Sequence, residues 1–225
     1  MKSSSTSPRS IMKLALSLAS FGFVATSLVV ATHWATKEAI EQQRKQQLIK
    51  GFSQVLPQNM LDQNLLERCI LLEQDPLLGS DQKKSVWLAK EQDKVVAMVF
   101  QTTAPDGYNG DIDLLLASDL TQKVLDVRVI SHKETPGLGD RIDIRKSDWI
   151  KSFSEKSLHE SNDSRWAVTK DGGMFDGFTG ATITPRAVVK AVKNTLVYQG
   201  MHQSEILEQA YNCGDDSMLK DDQDD

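Results

Sequence analysis

The sequence predicts an α+β protein: a single N-terminal transmembrane helix, then a compact domain with a mainly antiparallel sheet and packing helices. Three observations carry this reading. Residues 14–36 contain no Asp, Glu, Lys or Arg, and about 20 apolar residues span a bilayer core as helix. From Ser85 onward, short β-branched runs alternate with turn residues. After Pro185, apolar residues recur at helical spacing. Because the strands come before this helix rather than alternating with helices, the domain reads as α+β.

In order, residues 1–13 hold Lys2, Arg9 and Lys13 and no acid. A positive flank of this kind stays in the cytoplasm. Residues 14–36 are the membrane helix, with His33 and Trp34 at the far interface. A cleaved signal peptide is the rival, since Ala25-Thr26-Ser27 has suitably small residues. Either way the body is exported. Residues 37–84 read as a helical stalk and linker, in which Pro57 ends the helix and the apolar residues of 58–82 lie at near-helical spacing.

The domain is expected over 85–212. Val86–Leu88 and Val95–Phe100 are two strands, Ile112–Ala117 a third and Val124–Ile130 a fourth. Ile144–Phe153 reads as a short helix and Trp166–Thr169 as a fifth strand. Pro185 to about Gln199 is a helix with Ala187, Val188, Ala191, Val192 and Leu196 on one face. Gly200 should stop it, and Ser204–Tyr211 forms a last helix. Residues 213–225 are an acidic, disordered tail.

The bulk properties exclude several function classes. The net charge of −5 sits almost wholly in the last eleven residues, which hold six aspartates and one lysine. No basic stripe appears, so nucleic-acid binding has no support. Four dispersed histidines and two cysteines form no ligand cluster, so no metal site is expected. Export would permit a disulfide between Cys69 and Cys213, but the place of Cys213 beside the acidic tail argues for two unpaired thiols. No nucleophile–base constellation appears, so no catalytic residue is assigned.

The chemistry concentrates in Asp176-Gly-Phe-Thr179-Gly180-Ala181-Thr182-Ile-Thr184, followed by Pro185. A small-residue turn running into a helix start suits a phosphate, because backbone N–H groups and the helix dipole both favour an anion there. Pro185 suits the first helical position. Thr184 is then the expected N-cap, its hydroxyl exposed at the positive end of the helix. Two further stretches stand out. Gly107-Tyr108-Asn109-Gly110 offers close backbone approach and an aromatic ring. His132-Lys133-Glu134-Thr135-Pro136-Gly137-Leu138-Gly139 is a rigid loop able to press backbone against a ligand.

These residues carry a resemblance. Asp176-x-x-Thr179-Gly180-Ala181-Thr182-x-Thr184 resembles the flavinylation motif of FMN-binding domains. The Gly-Tyr-x-Gly and His-x-Glu-Thr-Pro-Gly-Leu-Gly stretches resemble other parts of the same family. With the N-terminal anchor, the chain is similar to the G subunits of Rnf (Rsx) ion-translocating electron transport complexes. The C subunits of sodium-pumping NADH:quinone oxidoreductases share topology and motif and are the runner-up.

The resemblance implies FMN attached covalently to Thr184 by a flavin transferase through a phosphoester. It also implies that Asp176, Thr179, Gly180, Ala181 and Thr182 shape the motif, with Thr182 orienting the backbone or the phosphate. His132, Glu134, Thr135, Gly137, Leu138, Gly139 and Tyr108 are expected beside the flavin. The function implied is electron carriage at the periplasmic face of a bacterial inner membrane, between other redox subunits of a complex coupled to ferredoxin or NADH. A membrane-anchored flavin-binding sensor or interaction module is the alternative.

Overall fold

The structure is a computed structural model that describes residues 8–213; the first seven residues and the acidic tail beyond Cys213 lie outside the described residues. The chain divides into two compact units, residues 1–47 and 48–225. Helix α1 (Pro8–Val55) makes up the described part of the first unit and the start of the second.

In the first unit, Ile11–Thr36 is long and apolar enough to cross a membrane, and none of it is covered by protein. Leu16, Phe21 and Phe23 are all exposed, and a bilayer would cover such a surface. Three of its hydroxyls, on Ser20, Thr32 and Thr36, bond back to the helix's own carbonyls. The Thr32 hydroxyl donates to the Leu28 carbonyl at 2.6 Å and the Thr36 hydroxyl to the Thr32 carbonyl at 2.8 Å. Such back-bonding removes the desolvation cost of a hydroxyl in lipid.

The second unit is built on a five-stranded antiparallel meander: β1 (Cys69–Leu72), β2 (Lys84–Glu91), β3 (Lys94–Ala104), β4 (Ile112–Asp119) and β5 (Val124–Ser131), paired in that order. The strands read as almost continuous apolar runs because both sheet faces are covered, so alternate side chains enter different cores. Val86, Leu88, Met98 and Phe100 face one side, where Tyr198 and Ile206 of helix α2 (Ile183–Glu208) pack. Trp87, Ala89, Ala97, Val99, Leu115 and Ala117 face the other, against Phe52, Val55 and Leu56 from the end of α1. Phe52 meets Trp87 edge-on at 5.0 Å. A third cluster fills the end of the sheet nearest the motif. There Ile112, Leu114, Leu116 and Val127 meet Val188, Val192 and Leu196 of α2 and the rings of Phe153, Trp166, Phe175 and Phe178.

Several sequence expectations are corrected here. The fifth strand is not Trp166–Thr169 but Cys69–Leu72, inside the stretch read as near-helical. Pairing decides this. Cys69–Leu72 finds β2, with Ile70 opposite Val86. Val168 makes only an isolated bridge to Phe175 before the 3₁₀ turn Thr169–Asp171, while Trp166 joins the aromatic cluster. The helix expected over Ile144–Phe153 is a 3₁₀ segment, Trp149–Phe153.

Gly200 does not end the motif helix, which continues to Glu208 and absorbs the separate last helix. A mid-helix glycine costs only about 1 kcal/mol. Burial of Tyr198 and Ile206 and the hydrogen bonds of buried Gln199 to Ser118 (2.7 Å) and the Asp119 carbonyl (2.8 Å) outweigh it.

The cysteines are not free. Cys69 and Cys213 form a disulfide across 144 residues, with Cα atoms 5.4 Å apart. After α2 the chain returns along β1: Asn212 N–H donates to the Cys69 carbonyl at 3.0 Å, and the Asn212 side chain accepts from Leu71 N–H at 2.6 Å. That return, invisible in the local sequence, brings Cys213 to Cys69 and covers the open edge of β1, where unpaired backbone would otherwise face solvent.

Candidate functional site

Three connections meet at the end of the sheet: the turn between β3 and β4, the loop after β5, and the turn that leads into α2. Their meeting point is a pair of buried side chains. The Thr184 hydroxyl donates to Oε2 of Glu134, in a short contact between residues 50 apart in sequence. Thr184 is 0% exposed and Glu134 is 4% exposed. The other carboxylate oxygen, Oε1, accepts the backbone N–H of Asn109 at 3.1 Å. A buried carboxylate needs such donors, since an unpaired one carries a heavy desolvation penalty.

Backbone shape makes room for this pair. A Cβ on Gly139 would lie 2.6 Å from Glu134 Oε2 and 2.8 Å from Thr184 Oγ. A Cβ on Gly107 would lie 3.0 Å from Glu134 Oε1 and 2.1 Å from the Gly110 carbonyl oxygen. The two glycines therefore press on the carboxylate from two sides, and each is required by close approach.

The helix start differs from expectation. α2 begins at Ile183, with Thr182 in the N-cap position but making no capping hydrogen bond. Thr184 lies inside the first turn, its hydroxyl turned into the protein rather than exposed. Pro185 is tolerated throughout the first turn, where the N–H has no intrahelical acceptor, so it does not mark the first helical residue uniquely. Glu134 then decides which way the hydroxyl points.

The other residues of the three stretches surround this centre. Leu138 Cδ2 lies 3.4 Å from the position of a Cβ on Gly180, so the loop after β5 touches the motif turn. Thr135 Oγ accepts from the Asn109 side chain at 3.3 Å. His132 stays within its own loop, where Nδ1 accepts the Glu134 N–H at 3.1 Å. Gly137 is exposed and Ala181 half-buried. Tyr108, Leu138 and Ile183 present exposed apolar surface, at 64%, 43% and 45%, on the three stretches that meet here. Asp176, Thr179 and Thr182 are exposed, and none of their side chains reaches the Thr184–Glu134 pair.

Residues outside the sequence motifs hold the motif turn in place. The Trp149 indole N–H donates to the Asp176 carbonyl at 2.7 Å, and its ring meets Phe178 edge-on at 5.0 Å. The Arg141 guanidinium lies 5.0 Å above the Phe178 ring. Arg186 of α2 forms a two-pronged pair with Asp171, both contacts at 2.6 Å, and holds that carboxyl below the usual aspartate range. The Arg145 guanidinium does the same for buried Asp143, with a smaller contribution from His132. Asp140 Oδ1, buried beside Gly139, has no protein hydrogen-bond partner among the described residues and is an unfilled acceptor next to the site.

Comparison with known proteins gives the family. Residues 107–197 match the FMN-binding domain family, and residues 1–55 match the RnfG N-terminal region. The G subunit of the ion-translocating oxidoreductase complex of Shewanella loihica is 46% identical over 205 residues, covering 91% of this chain and 97% of that protein. Its namesake from Vibrio vulnificus is 47% identical over 204 residues, covering 91% and 96%. The chain belongs to the RnfG family. In this family member the FMN-binding match begins at Gly107 and closes within α2, so it contains all three connections that converge on Thr184.

Among the described residues, no Lys or Arg side chain hydrogen-bonds or ion-pairs with Thr184 or Glu134.

Proposed function

We propose that this chain is the flavin-carrying, electron-transferring subunit of a membrane-bound ion-translocating oxidoreductase complex, with FMN joined to Thr184 by a phosphoester. The single observation behind this reading is the hydroxyl of Thr184, held against the Glu134 carboxylate at the centre of the FMN-binding domain. The relatives are named as subunits of such a complex, which supports other subunits as partners; in this reading they exchange electrons with the flavin in a ferredoxin- or NADH-coupled reaction. Bound FMN supplies one- and two-electron redox chemistry. The chain itself tethers, orients and shields the flavin. Tyr108, Leu138 and Ile183 offer apolar surface for a planar ring.

Permanent attachment also suits the compartment. Outside the cytoplasm a reversible site fills only as far as free ligand allows, and an ester removes that dependence. Two features support a periplasmic domain on a single-pass anchor. The basic N-terminal flank favours a cytoplasmic N-terminus. The Cys69–Cys213 disulfide belongs to an oxidising compartment. Attachment requires a flavin transferase as maturation partner.

Fragment mapping of flavinylated protein tests the reading. The flavin-bearing residue is expected to be Thr184, with Thr182 unmodified. Flavin on Thr182, or flavin released by denaturation without any covalent adduct, overturns it.

A further inference from the structure

The geometry points to Glu134 as the base that activates Thr184 for its own modification, an inference that rests on the phosphoester reading above. A threonine hydroxyl is a weak nucleophile until a neighbouring group takes its proton. Glu134 Oε2 accepts that proton's hydrogen bond. Its other oxygen is fixed by the Asn109 N–H at 3.1 Å, and Gly139 lets the carboxylate and the hydroxyl meet without a side chain between them. A carboxylate buried at 4% exposure beside a hydroxyl at 0% is an expensive way to hold a helix start, because an apolar pair would fill the space without desolvating a charge. It is an economical way to receive a proton, because a base must lie within hydrogen-bond reach of the group it deprotonates.

The step balances with a flavin dinucleotide as donor, in which the FMN phosphate is activated as a pyrophosphate. Thr184 Oγ forms a bond to the FMN phosphorus. The anhydride P–O bond breaks, and the nucleoside monophosphate leaves with that bond's electron pair. The Oγ proton passes to Glu134 Oε2. The chain is thus not a passive acceptor: it supplies both nucleophile and base, and the transferase supplies the donor and stabilises the leaving group. Because Thr184 is fully buried, the phosphorus reaches Oγ only after the turn 178–182 draws back, while Glu134 stays with the hydroxyl.

The test follows flavin incorporation over time by intact mass and in-gel fluorescence, using the full-length chain, purified transferase and flavin dinucleotide. Glu134→Gln keeps the volume, the oxygen that accepts Asn109 N–H and a polar contact to Thr184, but cannot take a proton. Incorporation is expected to slow by about 10²–10⁴-fold with melting temperature unchanged. Glu134→Ala is expected to be slow and to recover in a concentration-dependent way with formate, a carboxylate small enough for the vacated space. A role in positioning alone predicts near-normal incorporation in Glu134→Gln and no formate rescue. Wild-type rates in Glu134→Gln overturn the inference while leaving Thr184 as the attachment site. So does a Glu134→Ala chain that melts like wild type and stays unmodified in formate. A wild-type chain left unmodified by a transferase active on a control substrate overturns the phosphoester reading itself, and the inference with it.

Discussion

Removing the Cys69–Cys213 bridge should weaken the domain by an amount the structure allows to be estimated. Cys213→Ser deletes a cross-link that closes 144 residues, nearly the whole second unit. The chain-entropy expression puts its upper limit at about 5 kcal/mol, and native bridges typically contribute about 2–4 kcal/mol. For a domain of this size each 1 kcal/mol moves the melting temperature by about 2–4 °C, so a fall on the order of 10 °C is expected. Part of the loss is local. Asn212, which pairs with Cys69 and Leu71, loses its tether, and the edge of β1 opens. Guanidinium unfolding should also show a steeper slope, because the uncrosslinked unfolded chain exposes more surface. The assay is thermal and guanidinium unfolding of detergent-solubilised wild type with and without reductant, beside Cys213→Ser. Reduced wild type should match the variant. A variant as stable as the oxidised protein, or two free thiols in protein purified from an oxidising compartment, refutes the reasoning.

Three further outcomes follow from the packing and the charges. Gly139→Ala places a methyl 2.6 Å from Glu134 Oε2 and 2.8 Å from Thr184 Oγ. It should cost about 1–3 kcal/mol of stability and sharply reduce flavin incorporation, and unchanged incorporation would show that the pair is not needed. Phe52→Ala, in the last turns of α1, removes a side chain 2% exposed against Trp87 and should destabilise the sheet domain by about 3–5 kcal/mol; a change below about 1 kcal/mol in denaturant unfolding would show that this part of α1 is dispensable to the core. Asp62, Asp143, Asp163 and Asp171 are each held below the usual 3.8 by a hydrogen-bonded arginine. Stability from a lowered carboxyl is present above the ordinary value and lost as pH falls below it through the folded value. Melting temperature should therefore be flat near neutrality and begin to fall around pH 4, modestly because each pair has at least one partner open to solvent; a rise on acidification would contradict the assignment.

Much of the fold was legible because local pattern and tertiary outcome agree. Val95–Phe100, Ile112–Ala117 and Val124–Ile130 read as strands and form β3, β4 and β5. The misreadings arise where long-range contacts decide. Cys69–Leu72 becomes a strand through its pairing with β2, and Trp166–Thr169 remains irregular without such a partner. Helix α2 passes through Gly200 because Gln199 is bonded to the end of β4. The disulfide depends on the chain returning along β1, which no spacing reveals.

The site divides the same way. The motif around Thr184 and the loop 132–139 were visible as residue strings, and the structure brings Glu134, Gly139 and Thr184 into contact. The direction of the Thr184 hydroxyl was not visible. Local capping rules place it in solvent, and only Glu134, 50 residues away, turns it inward. Trp149, which anchors the Asp176 carbonyl, carried no motif signal; its indole N–H, in a segment read as helix, needed a partner that sequence alone does not supply.

The central claim is that Thr184 carries the flavin. Its most direct test is the intact mass and in-gel flavin fluorescence of the full chain made with an active transferase, wild type beside Thr184→Ala. The account predicts that wild type gains the mass of one FMN less one water and fluoresces, and that Thr184→Ala, folded but melting lower because Glu134 Oε2 loses its donor, does neither. An unmodified wild type, or a covalent flavin retained in Thr184→Ala, would contradict it.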